Sequence, residues 1–117
     1  TNKFKSIFYP NIIYINGEKQ TTINYSYYFN QTDNYVEIIW NDTISSCEYM
    51  FMECNNIVEI DLSHFNSSKV TDMTGMFYRC SSLTSINLSN IDTSRVQYMR
   101  TMFYECSSLT SLMAVQI

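Results

Sequence analysis

Hydrophobic residues recur along the chain from residue 44 onward with a spacing of 26. The spacing divides this part of the chain into a first repeat (44–69), a second repeat (70–95) and a third repeat (96–117). The columns of equivalent residues are Ile44, Val70 and Val96; Met50, Met76 and Met102; Phe51, Phe77 and Phe103; Cys54, Cys80 and Cys106; Ile57, Leu83 and Leu109; and Ile60, Ile86 and Leu112.

Each repeat has two halves with different periods. In the first half of the second repeat, apolar residues fall at i, i+3, i+6, i+7 and i+10, which predicts a short one-sided helix. These residues are Val70, Met73, Met76, Phe77 and Cys80. In the second half, Leu83, Ile86 and Leu88 have the spacing of a leucine-rich-repeat strand. The sequence therefore predicts an α/β solenoid of leucine-rich-repeat-like coils, each with a short helix and a parallel β-strand.

Residues 1–43 do not repeat and predict a small β-rich region of three to five strands. Asn16 and Gly17 lie between alternating apolar runs, which is typical of a β-hairpin. We expect this region to cap the first repeat, with Phe29 and Trp40 making the contact. The alternative is an independent β subdomain, although about 40 residues rarely sustain a core of their own.

The strings DMTGMFYRCSSLTSINLSN and YMRTMFYECSSLTSL resemble the repeat of BspA-like leucine-rich repeat surface proteins. The resemblance covers about residues 44–112 and implies an extracellular or cell-surface location and a role in adhesion. The first repeat departs from the pattern, because Cys47 occupies the position of Met73 and CNNIVEI replaces CSSLTSI. A first repeat that meets a cap instead of another repeat is expected to differ in this way.

The third repeat lacks the features of a capped end. Ala114 replaces the strand leucine, and no polar capping repeat follows. We therefore expect Leu109, Leu112 and Ile117 to form an assembly end, covered either by further chain or by another molecule. The first residue, Thr1, favours a processed protein or a fragment.

Charge and composition argue against several functions. A net charge of −4 with seven scattered Lys and Arg residues argues against nucleic-acid binding. No run of about 18 apolar residues occurs, so we expect no transmembrane segment. The sequence contains no recognised catalytic motif, and His64, the single histidine, stands where the second repeat has Asn90. We expect neither an enzyme nor a bound cofactor or metal.

Two residue types remain open to more than one interpretation. Parallel repeats about 4.8 Å apart would hold equivalent cysteines too far apart at Cβ for good disulfides, which favours free buried thiols over bridges. Five asparagines begin N-x-S/T sequons and are candidates for glycosylation, at Asn24, Asn30, Asn41, Asn66 and Asn87.

Two functions fit these expectations. The first is a non-enzymatic structural or adhesive surface protein that joins copies of itself end to end, which produces filaments if the contact does not close. The alternative is a recognition fragment of a longer surface adhesin that binds a protein or glycan through the sheet face. The residues expected on that face are Glu59, Asp61, Thr84, Ser85 and Asn87.

Overall fold

The computed structural model describes residues 10–23, 29 and 31–113. Within them lie six strands in two three-stranded sheets, and no helix. The strands are β1 (Ile12–Ile15), β2 (Glu18–Lys19), β3 (Val36–Ile39), β4 (Glu59–Asp61), β5 (Ser85–Asn87) and β6 (Ser111–Met113).

The N-terminal sheet has the order β2-β1-β3, with both pairs antiparallel. Asn16 (φ 52°) and Gly17 (φ 87°) form the turn between β1 and β2, where positive φ at both positions suits the twist of a two-residue hairpin. The Asn16 carboxamide oxygen also accepts the Tyr35 amide at 2.9 Å, which fastens the turn to the start of β3. The hairpin predicted at Asn16–Gly17 is confirmed.

The second sheet joins the three repeats in the order β4-β5-β6, and both pairs are parallel. Ile60 pairs with Ile86, which pairs with Leu112, so the register equals the 26-residue spacing of the sequence. Isolated bridges from Ser46 to Asp72 and from Asp72 to Tyr98 continue this register outside the strands. Equivalent residues of the three repeats therefore lie side by side.

The predicted helix in each repeat is wrong, and with it the α/β solenoid of leucine-rich-repeat-like coils. The first half of each repeat is a succession of tight turns, in which alternate amides bond three residues back, as Tyr78 does to the Gly75 carbonyl at 2.9 Å. The intervening amides point to the next repeat instead, as Phe77 does to the Met102 carbonyl at 3.0 Å. An α-helix would use all of these amides internally. The described residues form two small sheets in a body of 38 × 31 × 21 Å.

The succession of tight turns in the first half of each repeat is termed the turn ribbon. Residues with left-handed φ angles keep it from becoming a helix. Two positions per repeat, four residues apart, have positive φ between 53° and 59°. They are Tyr49 and Glu53, Gly75 and Arg79, and Thr101 and Glu105. The turn ribbon still buries the apolar positions that suggested a helix: Met73, Met76 and Phe77 are 0% exposed. The predicted burial was therefore right and the predicted backbone wrong.

One core runs through the repeats and extends to the end of the N-terminal region. Trp40 and Ile44 pack against the buried cluster. The Trp40 ring meets Phe65 edge-on, with centroids 5.6 Å apart. Phe29, the other residue expected in the cap contact, is 41% exposed. Trp40 thus contacts the repeat core.

Candidate assembly face

The side of the third repeat that points away from the second repeat, formed by residues 98–113, is here termed the third-repeat face. An apolar side chain on this face is exposed where its equivalent in the second repeat is buried: Leu112 is 48% exposed, whereas Ile86 in the same column is 1% exposed. Met113, Tyr98 and Tyr104 are also exposed. Exposed apolar side chains of this kind are candidates for an interaction site.

Backbone hydrogen bonds join the turn ribbons of successive repeats. In the first repeat, the amides of residues 47, 49, 51 and 53 donate to carbonyls of the second; residues 73, 75, 77 and 79 of the second donate to the third. These eight N···O distances lie between 2.7 and 3.0 Å. In the third repeat the equivalent amides find no acceptor among the described residues. These amides, termed the donor row, belong to Met99, Thr101, Phe103 and Glu105.

Aromatic columns run parallel to these hydrogen bonds. Phe51 stacks on Phe77 with centroids 5.8 Å apart, and Phe77 stacks on Phe103 at 5.6 Å, with the rings within 6° of parallel. Tyr78 stacks on Tyr104 at 5.0 Å. Phe77 is fully buried between two rings, while Phe103 is only partly buried. Each column therefore ends at the third-repeat face.

A column of charged residues runs along the same ribbon. The Arg79 Nε donates to the Glu105 Oε2 at 2.7 Å, and its Nη1 lies 3.7 Å from the Glu53 Oε1. The guanidinium also lies over the Tyr78 ring, 5.2 Å from its centroid. The hydrogen bond and charge of Glu105 raise the pKa of Arg79. These three charged residues, with Asn55, Ser81 and Ser107, line an open groove of about 420 Å³.

The four cysteines are free. The Cys80 thiol donates to the carbonyl of the residue 29 positions earlier at 3.0 Å, and Cys106 does the same. Burial raises the pKa of Cys47 and Cys54 to about 12 and that of Cys80 to about 11. The thiols stay protonated at neutral pH and act as small apolar donors between repeats, which agrees with the expectation of buried free thiols.

The expected binding face lies on the second sheet. Glu59 pairs with Ser85 and Asp61 with Asn87, so these four residues lie on one side of β4 and β5. The Asp61 carboxylate accepts the Ser63 amide at 2.9 Å, and bonds from Ser63 lower the pKa of Asp61. Thr84, just before β5, bonds the Val58 carbonyl through its hydroxyl at 3.1 Å. The structure thus brings together four of the five residues.

The other predicted site residues are scattered. Leu109 is partly buried. Asn41 and Asn66 are exposed, whereas Asn87 is partly buried in β5, with its carboxamide oxygen accepting the Ser89 amide at 3.0 Å. Asn24, Asn30 and Ile117 lie outside the described residues. No three His, Cys, Asp or Glu residues gather as a metal site within the described ranges, and the exposed His64 ring contacts the Ser63 hydroxyl at 3.0 Å.

Sequence reasoning missed two features of the third-repeat face. The donor row depends on left-handed φ angles at ordinary residues such as Arg79 and Glu105, for which the sequence carries no clear signal. The charged column was visible in principle, because Glu53, Arg79 and Glu105 share the 26-residue spacing.

The repeats thus define a class of protein in which equivalent turns and strands pair in register from one repeat to the next. The chain belongs to the family described as "Mycoplasma protein of unknown function, DUF285", which it matches over residues 20–114. Searches of curated proteins and of solved structures found no match. None of the described residues forms a helix long and apolar enough to cross a membrane.

Proposed function

We propose that this chain is a non-enzymatic assembly module of an extracellular or cell-surface protein. Its third-repeat face receives a further 26-residue repeat of the same kind. The observation that carries the proposal is the donor row, whose four amides lack acceptors among the described residues while the eight equivalent amides are bonded.

The donor row limits the kind of surface that can bind to it. A purely apolar partner surface that covered the donor row would bury these amides without acceptors, which costs about 1–3 kcal/mol for each buried group. A partner must therefore present a row of carbonyl oxygens together with apolar side chains. The second repeat presents such a row to the first, through the carbonyls of residues 72, 74, 76 and 78.

Strand pairing supports the same partner. Strand β6 pairs with β5 on one side, and its other edge has no partner among the described residues. An added parallel strand satisfies such an edge, and alternate side-chain positions then provide specificity. A repeat in the 26-residue register would satisfy the strand edge and the donor row together.

The proposed surface location rests on a sequence argument, and the proposed lack of catalysis rests on the absence of a recognised motif and on the surroundings of His64. The resemblance to BspA-like surface proteins supports an extracellular or cell-surface site. His64 is exposed and is bonded to its neighbour Ser63, an arrangement that suits a loop residue better than a general base.

A second candidate is the end-to-end joining of identical copies. One column of equivalent residues favours this candidate, because Glu48 of an incoming first repeat would lie beside the oppositely charged Arg100. However, Phe51 in the first repeat is only 4% exposed, whereas its equivalent Phe103 in the third repeat is partly exposed, so Phe51 is already covered. A copy would have to displace whatever covers Phe51, so we favour a further repeat over the first repeat of an identical copy.

Hydrogen exchange on a lengthened chain tests the proposal. Copies of residues 92–95 and then 70–95 are added after Ile117, which preserves the 26-residue spacing and leaves the full chain intact. We expect the donor-row amides to exchange readily in the original chain and to become protected in the lengthened chain. Amides 73, 75, 77 and 79 should be protected in both proteins and so report correct folding.

Sedimentation of the original chain over a range of concentrations separates the two candidates. A monomer whose donor row is protected only by the added repeat supports the proposal. A concentration-dependent oligomer with a protected donor row favours the joining of identical copies. A donor row that stays unprotected in the lengthened chain contradicts the proposal.

A further inference from the structure

We infer that the repeat received by the third-repeat face carries an arginine or lysine at the position of Arg79, where it faces Glu105. This inference rests on the proposed function and adds the charge that selects the partner. Its basis is the alternation of acid, base and acid at Glu53, Arg79 and Glu105, with the base in ionic contact with both acids.

The alternation follows from the backbone register. All three residues have left-handed φ between 55° and 58°, and the amides of Glu53 and Arg79 donate to the following repeat. Their side chains consequently start from equivalent points of successive turn ribbons. The side chain at this position of each repeat thus lies beside the equivalent side chain of the next repeat. The equivalent residue of a fourth repeat would lie beside Glu105.

The two existing ion pairs indicate what geometry to expect. Arg79 forms a short hydrogen bond to Glu105, in the repeat that follows it, and a longer 3.7 Å ion pair to Glu53, in the repeat that precedes it. A base in the incoming repeat would have the same position relative to Glu105 that Arg79 has relative to Glu53. The Glu105 side chain remains 51% exposed beside Arg79, so its carboxylate is accessible to a second cation.

The same column discriminates against other partners. An incoming first repeat of an identical copy would bring Glu53 against Glu105 and place like charges together. The middle repeat of this chain, with Arg79 at that point, has the matching charge. The expected partner is therefore a repeat that resembles residues 70–95 more than residues 44–69.

The added repeat described above provides the test, in three versions. The added arginine equivalent to Arg79 is kept, changed to glutamine or changed to glutamate. Because pairs at exposed positions contribute modestly, we expect donor-row protection to fall about two- to fivefold from arginine to glutamate, with glutamine between them. The difference should shrink in 1 M salt, where charges are screened.

Glu105→Gln in the same three proteins identifies the source of the difference. We expect this substitution to abolish most of the difference between the arginine and glutamate versions. Equal protection in all three versions with Glu105 intact would overturn the inference, and so would a difference that Glu105→Gln leaves unchanged. If none of the added repeats protects the donor row, the proposed function fails instead.

Discussion

The second and third repeats share the string CSSLTS and nearly the same turn sequence, yet their surroundings differ. Leu83 is 0% exposed between two neighbouring repeats, whereas its equivalent Leu109 remains partly exposed. The same residue types thus form a closed core in one repeat and an open surface in the next. Burial here is determined by the presence of a neighbour, which is how repeat proteins distribute their stability.

The largest expected difference between the two repeats lies in the phenylalanine column. Phe77→Ala removes a ring held between two others, which should cost about 3–5 kcal/mol of unfolding free energy. Phe103→Ala removes a ring with one described neighbour in the column and should cost clearly less. Urea unfolding of both variants checks this. Equal losses would show that the third repeat is as well packed as the second.

The next effect concerns a position that is special to the second repeat. Gly75 has φ of 59°, and a β-carbon there would overlap the Tyr49 ring. Gly75→Ala should cost about 2–4 kcal/mol, from overpacking and from the left-handed backbone. Gly17→Ala is the matched control, because φ is 87° there but a β-carbon would meet no atom within 4 Å; it should cost about 1 kcal/mol.

Thermal or urea unfolding measures both glycine substitutions. In a Tyr49→Ala background the cost of Gly75→Ala should fall toward that of Gly17→Ala, since the ring is gone. A cost that does not change in that background would mean that the Tyr49 contact is unimportant.

The smallest of these effects is a pH dependence carried by the cysteine column. The pKa of Cys80 rises from 9.0 to about 11 on burial, so the folded state holds this proton more tightly than the unfolded state. Stability should therefore decline as pH rises from about 9 to about 11, by at most roughly 1.4 kcal/mol per pH unit from this thiol. Cys80→Ala should flatten the decline more than Cys106→Ala, because Cys106 is only partly buried.

Unfolding curves measured at intervals from pH 8 to pH 11 give these slopes. A slope in Cys80→Ala that equals the slope of the original chain would mean that the Cys80 thiol does not titrate differently in the folded state.

Some of the fold could be predicted from the sequence. The repeat spacing fixed the parallel register of β4, β5 and β6, and Asn16–Gly17 fixed the first hairpin. The helix could not be distinguished from the turn ribbon, since both bury residues at i, i+3 and i+7. The left-handed residues that decide between them include Tyr49 and Arg79, which carry no glycine-like signal.

The candidate site was predicted only in outline. The apolar column ending at Leu112 indicated an open end, and the structure shows that side chain 48% exposed. The donor row could not be anticipated, because a predicted helix would have bonded those amides internally. The charged column could be found in the sequence from the spacing of Glu53, Arg79 and Glu105. Ion pairs between these residues could be inferred only once the repeats were known to lie in register.

Residue-resolved amide exchange at Met99, Thr101, Phe103 and Glu105 shows whether the third-repeat face receives a further repeat. We expect these four amides to exchange readily in the original chain and to become protected when the copy of residues 70–95 is added in register. The equivalent amides of the second repeat should be protected throughout. Donor-row amides that exchange equally fast with and without the added repeat would show that this face does not receive a further repeat.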